Sequence, residues 1–155
     1  QRLIGRSLRA VTKLEDLGNR TIWIDCDVTQ ADGGTRTASI IGGFIAYYEA
    51  VLNLLSRELI AENPIQEFLG AISVGIVQNN YLLDLEYKED LIADVDLNIV
   101  ATKSNKIIEI QGTAEGLPFS KTDMIELVDL GLNGIHQVIL IEEKIIEELI
   151  NKYKI

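Results

Sequence analysis

A chain of 155 residues, 47% hydrophobic and 25% charged, is one domain's worth of protein. It is apolar enough to bury a core without disulfides or metals, and too apolar to be disordered. Its 14 Lys and Arg against 24 Asp and Glu give a net charge of −10, which excludes a general nucleic-acid binder held by a basic surface.

The charge is uneven. Through residue 36 six bases (Arg2, Arg6, Arg9, Lys13, Arg20, Arg36) accompany five acids, and the remainder carries eight bases against 19 acids. Any polyanion contact is therefore expected near the N-terminal end. The chain opens on "QRLIGRSLRAV" with no initiator Met, signal peptide or capping residue ahead of it, and this opening reads as a cut. The spacing predicts an amphipathic helix over 2–14. Ile4, Leu8 and Val11 share one side and Arg2, Arg6, Arg9 and Lys13 the other. That basic stripe can grip an RNA backbone, dock on an acidic neighbouring subunit, or simply face solvent.

"DLGNR" supplies a turn, and "TIWIDCDV" predicts a strand in which Ile22, Ile24, Cys26 and Val28 alternate with Trp23, Asp25 and Asp27. Cys26 is the single cysteine and cannot form an internal bridge, so a packing role and a reducing, cytoplasmic setting are expected. Asp25 and Asp27 can support an anion pocket or pair with nearby arginines, and the structural role is the favoured reading. After "QADGGTRTASI" the pattern predicts a helix over 36–60, apolar on nearly every side until Glu49. It falls short of the roughly 20-residue uninterrupted apolar run of a membrane span. Gly42 and Gly43 lower its helix propensity and are expected to admit a close neighbour.

Two hairpins follow, "AISVGIV" and "YLLDLEY" around "QNN", then "VDLNIVAT" and "KIIEIQGTAEG" around "KSN". "FSKTDMIELVDLGLNG" predicts a helix capped by Ser120, and "IHQVILIEEKIIEELINKYKI" a final, separate helix. The order helix, strand, helix, four strands, two helices is α+β.

Two constellations carry chemistry. A strand ending in Gly33 and Gly34 and entering a helix presents backbone N–H groups at the positive end of the helix dipole. Thr35 adds a hydroxyl and Arg36 a guanidinium fork, and together they suit one orthophosphate. The same pattern also describes a tight strand-to-helix turn with a surface arginine. In "YKEDLIADVDLNI", Asp94, Asp96 and Asn98 share one strand face, with Asp90 at the preceding corner. Such carboxylates can hold Mg²⁺, act as a general acid, or form an acidic solvent-facing edge. His136 is the only histidine, so a histidine-based metal site or serine triad is not expected. There is no P-loop GxxxxGK[ST].

"QRLIGRSLRAV", "RTIWIDCDVTQADGGTRTASI", "AISVGIV", "DLEYKEDLIADVDLNIV" and "EIQGTAEGLPFS" resemble, in order and context, the bacterial ribonuclease PH family over essentially the whole chain. The resemblance implies a ribonuclease PH-like α+β fold, a mixed sheet with packed helices. It implies a phosphorolytic 3′-to-5′ exoribonuclease (tRNA nucleotidyltransferase) that trims transfer RNA precursors with inorganic phosphate and releases nucleoside diphosphates. The family is similar in fold to the cores of polynucleotide phosphorylase and the exosome ring, and it assembles as a hexameric ring of dimers.

By motif, Gly34, Thr35 and Arg36 match the phosphate turn. Asp90 and Asp96 match the acidic pair that looks like the Mg²⁺ site or general acid, and Arg2 and Arg6 match positions linked to subunit contacts and RNA. The family's substantial N-terminal segment has no counterpart, so the chain is expected to be the C-terminal portion of one ribonuclease PH domain. It should then expose an apolar face and lack half of the phosphate clamp, and a separate N-terminal fragment would be its partner. The alternative is a non-catalytic RNA-binding or scaffolding subunit of an exosome-like ring.

Overall fold

A computed structural model describes residues 2–154. Helix α1 (Arg2–Ala10) leads through a 3₁₀ turn (Leu14–Leu17) and an extended segment into α2 (Thr35–Ser56). Strands β1 (Leu69–Val77) and β2 (Asn80–Leu83), a one-turn helix α3 (Tyr87–Asp90), strands β3 (Val95–Thr102) and β4 (Ile107–Ala114), and helix α4 (Lys121–Tyr153) complete it.

The strands form one sheet in the order β2-β1-β3-β4, every pair antiparallel. The expected mixed sheet is thus corrected to an antiparallel one: hairpin turns join β1 to β2 and β3 to β4, and the short α3 connection lays β3 antiparallel along the other side of β1. Gln78 and Asn79 both adopt left-handed backbone, φ 50° and 65°, as a two-residue hairpin turn matched to strand twist requires.

Because side chains alternate between faces, Leu69, Ala71 and Val100 meet Ile40, Phe44 and Val51 of α2 and Leu8 of α1 on one side. Ile72, Val74, Leu97 and Ile99 meet Leu127, Ile135 and Ile139 of α4 on the other. Fully burying a side chain of this size is worth ~1.5–3 kcal/mol, and these two layers hold the sheet between helices. α2 and α4 are long and apolar enough to pass for membrane-crossing helices by length and composition. In this fold each buries an apolar face in the protein core.

Four local expectations are corrected. The helix predicted over 2–14 stops at Ala10, and Thr12 forms an isolated bridge to Ile65. The predicted strand "TIWIDCDV" is extended but unpaired: among the described residues no strand lies beside it to take its backbone hydrogen bonds. Ile22 and Ile24 rest on the first core cluster, whereas Trp23 is 87% exposed and Cys26, expected to pack, is exposed with Sγ donating to the Ser39 carbonyl. A Cβ on Gly43 would make only ordinary van der Waals contact with Ile4 and Ile24, and Gly42 faces open space, so neither glycine serves a close approach.

The two predicted C-terminal helices are a single helix of 33 residues. The predicted boundary after Gly134 falls inside it, and Gly131 and Gly134 do not interrupt it. In the fold they are seats: a Cβ there would lie 2.6 Å from Ile99 and from Leu83 respectively. Ser120 caps this helix as expected, its Oγ accepting from Asp123 N while the Asp123 carboxylate accepts from Ser120 N.

Candidate active site

The sheet face under the start of α2 is polar at one end. Register sets Ser73, Asn98 and Gln111 side by side across β1, β3 and β4, with Gly75, Asp96 and Thr113 in the next row. Gly75 is required here: a Cβ would meet Val95 O at 2.5 Å and Leu85 Cδ1 at 2.7 Å. Its absence lets Leu85 tuck in beside the sheet.

The glycine turn sits over this polar row. Gly34 is the N-cap of α2 with φ 69°, a left-handed conformation that favours glycine, and no side chain caps the helix. The first-turn amides are therefore open to an anion, at the end where the peptide dipoles favour negative charge. The Thr37 hydroxyl donates back to the Gly34 carbonyl at 2.7 Å and the Ser39 hydroxyl to the Thr35 carbonyl at 2.7 Å. Both brace the turn from within. Arg36 is exposed and reaches Gln111 Oε1 at 3.5 Å.

The two predicted constellations converge. Gly34, Thr35, Arg36, Ser73, Leu85, Asp90, Asp96 and Asn98 line one cleft of about 220 Å³, room for several waters at ~30 Å³ each and hence for a tetrahedral oxyanion. Asp90 projects from α3 and Asp96 from β3. Partial burial, the Asp90 carboxylate and Glu115 push the Asp96 carboxyl above its ordinary value, and Arg36 partly offsets them. A divalent cation would relieve that repulsion, and Mg²⁺ is commonly held by one or two carboxylates plus substrate phosphates, so this pair fits the ion. No cluster of three or more His, Cys, Asp or Glu suited to a metal occurs among the described residues.

The remaining predicted residues lie elsewhere. Arg2, Arg6 and Arg9 are exposed on α1 and do not line the cleft; Arg6 pairs with Glu109 of β4. Asp94 precedes β3, is exposed, and does not line the cleft. His136 bonds Asn105 Oδ1 at 2.8 Å. Sequence reasoning missed Ser73, Leu85 and Gln111, although the period-two alternation of "AISVGIV" and "KIIEIQGTA" would have put Ser73 and Gln111 on the site face. It also missed Asp32. One Asp32 oxygen accepts from Gly33 N at 2.8 Å and from Tyr87 N at 2.6 Å, and these two bonds hold the carboxyl below its usual range.

Comparison with known proteins gives the family. The 3′ exoribonuclease family matches in both parts, domain 1 over residues 1–52 and domain 2 over residues 67–134. Ribonuclease PH of Moorella thermoacetica is 47% identical over 152 residues, covering 98% of this chain and 61% of the relative. Ribonuclease PH of Exiguobacterium sibiricum is 53% identical over 139 residues, covering 90% of the chain and 56% of the relative. The chain thus spans little more than half the length of these curated relatives. Among solved structures, an archaeal exosome core superposes with a TM-score of 0.68 at 23% identity, over 93% of this chain and 61% of that one. An Archaeoglobus fulgidus exosome with RNA bound to the active site gives 0.67 at 24%, over 88% and 57%. These two likenesses establish the shared α+β fold. With both family domains matched in order and relatives about half identical along nearly its whole length, the chain belongs to the 3′ exoribonuclease family.

Proposed function

We propose that the chain carries the catalytic cleft of a phosphorolytic 3′-to-5′ exoribonuclease, a tRNA nucleotidyltransferase acting on the 3′ ends of transfer RNA precursors. The observation that supports this most is the convergence of an uncapped helix N-terminus, Arg36 and two carboxylates on one small cleft. Orthophosphate, the co-substrate, sits on the amides of Gly34, Thr35 and Arg36 with the Arg36 guanidinium along its edge. Held there, it attacks the terminal phosphodiester in place of water, and the last residue leaves as a nucleoside diphosphate. Fixed donors in a partly closed site stabilise the charge that develops.

Asp90 and Asp96 would hold Mg²⁺, which when bound offsets charge on the phosphates. Without a metal, the raised carboxyl of Asp96 is suited to protonate the leaving oxygen. Arg2, Arg6 and Arg9 line an exposed helix face and are assigned to RNA or to a neighbouring subunit of a homo-oligomeric, hexameric ring. A separate N-terminal fragment would complete the domain, in a cytoplasmic setting. The test is to incubate the chain with RNA and follow nucleoside diphosphate release. Release should require orthophosphate and vanish in Arg36→Ala. Phosphate-independent release, or full release by Arg36→Ala, contradicts the proposal.

A further inference from the structure

We propose that Asp32 is a positioning residue: its carboxylate fastens the phosphate turn to the segment that carries Asp90, so that the anion and the acidic pair are held in register. The inference rests on the phosphate reading above and adds a residue to it. Asp32 lies outside the cleft and is exposed, yet one of its oxygens takes both the Gly33 amide, at the turn, and the Tyr87 amide, at the start of α3 and 55 residues away in sequence.

The two backbones it joins are already in contact. A Cβ on Gly33 would fall 1.9 Å from the Leu85 carbonyl oxygen and 2.9 Å from the Glu86 carbonyl carbon. From below, the sheet fixes the same segment, with Ser73 Oγ accepting from Leu85 N at 3.0 Å and Ser73 O accepting from Asp84 N at 2.8 Å. The turn, however, has no side chain capping it on the α2 side. Asp32 supplies the side-chain bond between the turn and the segment 84–90. A solvent-facing carboxylate that bonded nothing but its own loop would leave the spacing between Gly34 and Asp90 to backbone packing alone. The bridge restricts that spacing, which an in-line attack needs held to within a fraction of an ångström.

The experiment is calorimetric titration of the chain with inorganic phosphate, wild type against Asp32→Asn and Asp32→Ala, with thermal melting of each. The Asn amide oxygen still accepts both bonds, so Asp32→Asn should bind within about threefold of wild type, whereas Asp32→Ala should bind about tenfold more weakly at a similar melting temperature. Equal binding by Asp32→Ala and wild type overturns the inference and leaves the phosphate site standing. Equal losses in both variants also overturn it, since the acceptor is kept in one of them. No phosphate binding by the wild-type chain overturns the site itself, and the inference with it.

Discussion

Glu142 sits on α4 between Ile139 and Ile146, is 1% exposed, and has no hydrogen-bond partner for either carboxylate oxygen. Burial, reinforced by neighbouring Glu143, raises its pKa from 4.5 to about 8. Lys103, in the turn between β3 and β4, is engaged with the neighbouring Glu143. In the unfolded chain the group ionises near its ordinary value, so between pH 4.5 and 8 the folded state binds the extra proton. The stabilisation is full below the lower value and is lost as pH rises through the upper one. At 1.36 kcal/mol per unit the span is worth on the order of 4–5 kcal/mol, a large part of the ~5–15 kcal/mol that a domain has.

Glu142→Gln keeps the shape and removes the charge. Urea unfolding at pH 5 and pH 8.5 should show the variant gaining several kcal/mol over wild type at the higher pH and little at the lower one. The carboxylates held low by their partners, such as Glu49 and Glu67, are common to both chains and cancel in the difference. A wild-type-minus-variant difference that does not change with pH would refute the assignment of a buried, protonated Glu142.

Other outcomes follow from the same geometry. Gly33→Ala forces a Cβ into the Leu85 carbonyl, and backbone on both sides leaves no flexible group to yield; it should cost ~1–3 kcal/mol in urea unfolding. Ser120→Ala removes the capping hydroxyl of α4 and should cost about 1 kcal/mol, read as a lower unfolding midpoint at unchanged slope. Asp96→Asn should leave folding intact by circular dichroism while lowering phosphate-dependent nucleoside diphosphate release by about a hundredfold or more.

The hairpins and the acidic strand were legible in the sequence because both report themselves locally. Alternation in "VDLNIVAT" fixed which side Asp96 and Asn98 take, and "QNN" carried the left-handed turn. The glycine turn at the start of α2 was legible because Gly33 and Gly34 ahead of a long apolar run mark a helix start without tertiary context. What escaped depends on partners distant in the chain. "TIWIDCDV" has strand alternation but no strand beside it, and pairing is not a property of one segment. Gly131 and Gly134 carry the same letters whether they end a helix or seat it on Ile99 and Leu83. Asp32 resembles any loop carboxylate until Tyr87, 55 residues on, is brought beside it.

The central claim is that the amides of residues 34–36 and the Arg36 guanidinium hold orthophosphate beside Asp90 and Asp96. The most direct measurement is a crystal structure of the chain grown with arsenate, whose anomalous scattering marks the ion independently of how the solvent is built. The account predicts a peak in the cleft, with oxygens within about 2.7–3.2 Å of the Thr35 and Arg36 amides. Density showing the cleft free of the ion, with Arg36 turned away from it, would contradict the account.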